Sequence, residues 1–116
     1  LHRVDLDRGE ILPRWTFGEL RRMAYLAGTE LDLLGRYIQL PYEFDSPIDT
    51  AAVVLAGRAF ANTFRQRAER LWLSVPDQDG PGPKLKHHQY MLERANQDAE
   101  RSRRWAALAK TLTTSA

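Results

Sequence analysis

The chain predicts an all-α fold, on three observations. Phe17, Leu20, Ala24, Ala27, Leu31, Leu34 and Ile38 follow one another at alternating spacings of three and four, which marks one helix face that other helices must cover. Leu85, His88, Leu92, Ala95, Ala99, Ser102, Ala106 and Ala109 repeat the pattern near the C-terminus. Between them, Ala51 to Ala61 carry a single charge, Arg58, as a buried helix would. Together these predict a bundle of three long helices with an extended N-terminal arm. Residues 1–15 form the arm and residues 16–116 a single helical domain.

The arm ends at Pro13, and Val4, Leu6, Ile11 and Leu12 suit it to lie on the bundle or on a partner. The first helix opens with a complete start signal. Thr16 is the N-cap, Glu19 completes a capping box, and Trp15 and Leu20 stand at the positions of a hydrophobic staple. The unbroken stripe predicts one helix to about Ile38, ahead of Pro41. The alternative is a split at Gly28, which would give a helix-turn-helix. The second helix starts at Ser46-Pro47, with Ser46 as N-cap, and stops at Pro76. Its later half is amphipathic: Phe60, Phe64, Ala68, Leu71 and Trp72 lie on one side, and Arg65, Arg67, Glu69 and Arg70 lie elsewhere. Pro76 to Pro83 is a turn-rich break. The third helix runs from about Leu85 to Leu112 on a seam of small residues that permits close approach, thickened by Trp105, Leu108 and Leu112.

Composition bounds the function. The 116 residues are 43% hydrophobic and 28% charged, ordinary for a globular chain able to build its own core. Cysteine is absent, which excludes disulfides and thiolate metal sites and fits a reducing cytoplasm. No apolar run approaches the ~18 residues of a membrane span. Leu1 to Asp7 show no signal-peptide pattern, and the missing initiator Met fits a processed subunit or part of a larger protein. The formal charge is +2, a mild tilt and not the strong footprint of a dedicated DNA-binding module.

Reactive chemistry finds little support. His87-His88 point about 100° apart on a helix and have no third ligand at metal-site spacing. The carboxylate pairs Glu30/Asp32, Asp45/Asp49 and Asp77/Asp79 sit at caps and turns, where acids serve helix N-termini. No serine stands in a Gly-x-Ser-x-Gly elbow. Gly80-Pro-Gly-Pro lacks the N–H donors of a phosphate cradle. The chain is therefore read as non-enzymatic, with no cofactor and no metal.

Ser46 to Pro76, the following loop, and a helix opening His87-x-x-Tyr90 resemble the helical hairpin of bacterial quorum-sensing antiactivators. That resemblance implies a dimer that sequesters a transcription factor. Tyr42 to Leu55, with Pro47-Ile48-Asp49-Thr50, is similar to the opening of ryanodine-receptor-type repeats, whose Leu-Val-Pro-Tyr segment is missing here. No residue role carries over from either family.

The expected function is that of a small interaction or regulatory protein that associates with itself or with another protein. Trp15, Met23, Tyr25, Leu26, Leu33 and Tyr37 widen the first helix's apolar surface beyond what three helices readily cover, and form the candidate interface. A nucleic-acid-binding regulator is the alternative. It would use a helix-turn-helix near Gly28, or Arg65, Arg101, Arg103 and Arg104 as anion contacts. A structural subunit of a larger complex or phage particle is the third reading.

Overall fold

The computed structural model describes residues 2–5, 10–74 and 83–114. Strands β1 (His2–Asp5) and β2 (Glu10–Pro13) are followed by helices α1 (Phe17–Ala27), α2 (Leu31–Leu34), α3 (Thr50–Ser74) and α4 (Pro83–Thr114). The fold is predominantly helical, and its largest packing unit is the pair α3 and α4. No helix among the described residues is long and apolar enough to cross a membrane. The expected break from Pro76 to Pro83 lies outside the described residues except for Pro83, which is the first residue of α4 and not part of a loop.

The N-terminal segment pairs with itself. β1 and β2 run antiparallel, with His2 opposite Pro13 and Asp5 opposite Glu10. Both strands lie beside α3, and β2 also lies beside α4.

α1 begins as its capping residues dictate. Thr16 Oγ1 accepts from the Glu19 amide at 3.2 Å, and the Glu19 carboxylate accepts from the Thr16 amide at 2.9 Å. The Phe17 amide donates to the Ser46 carbonyl and the Gly18 amide to the Phe44 carbonyl, at 2.9 and 3.0 Å. The orphan donors of the first turn are thus all satisfied, two of them by the 44–46 backbone.

That pairing corrects the expected start of the second long helix. Thr16 bridges Pro47, and the Ile48 amide donates to the Trp15 carbonyl at 2.9 Å, so residues 47–48 pair with 15–16 and do not open a helix. α3 starts at Thr50, and Asp49, not Ser46, is its cap: the Asp49 carboxylate accepts from the Ala52 amide at 3.1 Å.

The expected single first helix is split. Gly28 takes φ 72°, and its amide bonds back to Ala24 and Tyr25 carbonyls as a left-handed C-cap. Thr29 reinforces the stop by donating both its amide and its hydroxyl to the Ala24 carbonyl. The stripe nevertheless holds. Leu20, Ala24 and Leu34 are buried, and Phe17, Ala27, Leu31 and Ile38 pack against them. α1 and α2 share a core without sharing an axis.

The core lies where α1, α2, the N-terminal half of α3 and the C-terminal half of α4 meet. It includes Leu20, Leu34, Ile48, Val53, Val54, Phe64, Trp105, Leu108 and Leu112. The α4 seam is rotated from the expected one. Asp98, Trp105, Leu108 and Leu112 are buried with Ala95 and Ala109, whereas Ala106 and Leu92 are exposed. Large side chains take the inward positions because they remove more apolar area from water. α3 is also less enclosed than its lack of charge suggests: Leu55 and Ala59 face solvent.

Gly28→Ala is expected to destabilise the fold by about 1–2 kcal/mol, because an L-residue resists the left-handed region and the new Cβ would meet Arg104 Cδ at 3.3 Å. Thr16→Ala is expected to cost about 1 kcal/mol through the lost cap. Urea unfolding midpoints measure both.

Candidate functional site

The candidate interface residues divide into two groups. Trp15, Met23 and Leu33 turn inward and pack on the core. The Trp15 indole N–H donates to the Leu112 carbonyl at 3.2 Å, which ties the entry of α1 to the last turn of α4. Tyr25, Leu26 and Tyr37 stay in solvent, with Tyr25 83% and Leu26 76% exposed. Tyr37 rests its ring edge on Phe60 at a centroid distance of 5.5 Å.

The Tyr42–Asp45 loop enlarges the exposed group. Tyr42 is 97% and Phe44 59% exposed. Phe44 stacks on Phe17 at 6.3 Å, and the Arg21 guanidinium lies 5.1 Å from the Phe44 ring centre. Between α1 and this loop is an open cleft of about 530 Å³ lined by Thr16, Gly18, Glu19, Arg21, Arg22, Tyr25, Phe44 and Asp45. Gly18 permits the approach: a Cβ there would stand 3.2 Å from Phe44 Cβ.

The four candidate anion-binding arginines are all engaged by neighbouring side chains. Arg65 holds Asn62 at 2.6 Å and faces Glu69 at 3.7 Å. Arg103 and Arg104 share Glu100, whose carboxyl is held below its ordinary range chiefly by the Arg103 hydrogen bond. Arg101 reaches Glu30 at 3.3 Å and Asp98 at 3.6 Å. Arg21 and Arg22 differ: among the described residues neither has a carboxylate partner. They escaped the sequence reading because they lie off the apolar stripe, Arg21 at its edge and Arg22 opposite it.

Asp98, placed by the sequence on a solvated face beside the α4 arginines, is instead buried. It is 2% exposed, stands between Arg67 at 3.6 Å and Arg101 at 3.6 Å, and its Oδ2 accepts no hydrogen bond. Its position three after Ala95 and four before Ser102 marks it as a seam residue.

His87 and His88 hold their rings 6.3 Å apart, and no three potential metal ligands gather among the described residues. At the far end of the α3–α4 pair, Trp72, Leu73, Tyr90 and Leu92 are also exposed.

Compared with known proteins, the chain matches no family model, no curated protein and no solved structure.

Asp98 generates an asymmetric expectation. Arg67→Met with Arg101→Met leaves a buried carboxylate without a counter-charge and should cost about 3 kcal/mol. Asp98→Leu leaves two arginines that reach water and should stay within about 1 kcal/mol of the parent, because a buried ion pair adds little over an apolar pair. Chemical denaturation of the two variants side by side tests the difference.

Proposed function

We propose that this chain is a small non-enzymatic interaction or regulatory protein of the cytoplasm that self-associates through its helix faces. What supports the reading is the set of large side chains left in water around α1: Tyr25, Leu26, Tyr42 and Phe44, with Arg21 and Arg22 beside them. Exposed aromatics interleaved with arginine are the composition of interface anchors. A grouped apolar surface on a chain of this size marks a contact site more often than chance exposure. In this reading α1, continued by α2, is the third member of a helical bundle built on α3 and α4, and residues 16–116 act as one domain.

The nucleic-acid alternative has weaker support. A recognition helix must carry several side chains along a major groove, and α2 has four residues, a single turn. Arg101, Arg103 and Arg104 face carboxylates of their own chain, so a phosphate would have to displace them. A subunit of a larger assembly would use the same exposed face as the self-associating protein.

Light scattering after size exclusion is the direct test. The expected result is a species of at least twice the 13.3 kDa chain mass at both low and high salt, because apolar contacts survive screening. A monomer at both salts overturns self-association. Binding to an oligonucleotide that weakens steeply with salt, and is lost on charge reversal of Arg101, Arg103 and Arg104, would favour the alternative.

A further inference from the structure

Resting on the self-association reading, we infer that the contact is a two-fold one between copies of this chain, centred on the cleft between α1 and the Tyr42–Asp45 loop. The cleft has two chemically opposite walls. One carries the consecutive Arg21 and Arg22 with Tyr25 one turn on, beside Glu19, whose carboxylate is committed to the Thr16 cap. The other is formed by Phe44 and Asp45, and Tyr42 and Glu43 stand exposed beside them in the same loop.

These charges are close, yet they do not neutralise one another within the chain. Asp45 lines the same cleft as Arg21 and Arg22, but no ion pair joins them. The Arg21 guanidinium is held over the Phe44 ring instead. Glu43 likewise has no ion pair among the described residues. The contrast with α4 is sharp, since Arg101, Arg103 and Arg104 each face a carboxylate of the chain itself.

A two-fold axis through the cleft lays the basic wall of one copy on the acidic wall of the other, twice, as an isologous contact requires. Arg21 and Arg22 then meet Glu43 and Asp45 of the second copy, and the rings of Tyr25, Tyr42 and Phe44 close over the centre. At ~200 Å² per ring, these three exposed rings offer roughly 400–500 Å², over half of the ~800 Å² per partner in a standard interface. The rings supply contact area, and the charges set orientation and register.

A charge swap tests this. One variant carries Arg21→Glu and Arg22→Glu; the other carries Glu43→Lys and Asp45→Lys. All four side chains are exposed and none has an ion-pair partner among the described residues, so each variant should keep the helical circular dichroism of the parent. The milder pair Arg22→Glu and Asp45→Lys repeats the test with one charge changed per chain. Each variant alone should dissociate at least tenfold more readily than the parent. An equimolar mixture should recover the dimer, since both contacts are again between opposite charges. Size exclusion with light scattering reads the parent, the two variants and their mixture. A parent chain that is itself monomeric overturns self-association altogether. A dimeric parent whose variants also stay dimeric overturns this face alone. Variants that become monomers but do not recover on mixing overturn the pairing of α1 with the loop. Recovery on mixing supports it, because a merely structural role for these side chains would not produce it.

Discussion

Trp105 lies buried on α4 against α3 at a point where α3 offers no side chain. Gly57 stands opposite, and a Cβ there would already touch Ala109 Cβ at 3.5 Å and the Trp105 ring at 3.7 Å. That close approach sets the distance between the two long helices and lets one large ring serve both. Phe60 meets the Trp105 ring edge-on at 4.9 Å, and Tyr37 meets Phe60 in turn, so the segment after α2 is laid on the helix pair through a chain of rings. Further along α4, the Leu112 carbonyl receives the Trp15 indole and so holds the entry of α1. The placement of α1 and α2 therefore depends on how α3 and α4 approach each other.

How much of this could be read from the residues depended on whether the deciding interaction was local. The capping box at Thr16 and Glu19 is a four-residue event, and it forms as expected. The apolar stripe from Phe17 to Ile38 reports burial, and every member is at least half-buried. It does not report helix continuity, because a left-handed glycine can turn the chain while both helices keep facing one core. Ser46-Pro47 looked like a helix start on local grounds. It lost to a distant partner, the 15–17 backbone, which uses the same groups in an extended pairing. On α4 the pattern of alanines admitted more than one seam, and only the volumes of Trp105, Leu108 and Leu112 decided which way it turned.

The candidate site was legible in part for a related reason. Tyr25, Leu26 and Tyr37 stand off the stripe, and they are exposed. Trp15, Met23 and Leu33 were drawn inward by neighbours far away in sequence, such as Leu112 for Trp15. Charge is harder still to read from a linear chain. The arginines most concentrated in sequence, at 101, 103 and 104, face Glu30, Asp98 and Glu100, one of them from the turn between α1 and α2. Net charge along a segment counts groups, whereas availability to a partner depends on which groups are already matched.

The same reasoning gives the buried Asp98 a role that stability does not explain. Ala61 and Ala68 stand two helical turns apart on α3, so the alanine positions alone admit a slip of two turns. Three non-alanine contacts exclude that slip. Trp105 requires Gly57 opposite, the Ser102 hydroxyl donates to the Ala61 carbonyl at 2.6 Å, and Asp98 requires Arg67 within reach. They occupy successive turns of α4, so a slipped register loses all three together and leaves the Asp98 carboxylate with Arg101 of its own helix but without Arg67. Burying a charge is costly wherever its partner is absent. Asp98 therefore acts mainly against the wrong alignments, as a lone polar residue does in the seam of a coiled coil. An unsatisfied carboxylate oxygen at Asp98 thus costs less in this register than in one that takes Arg67 out of reach.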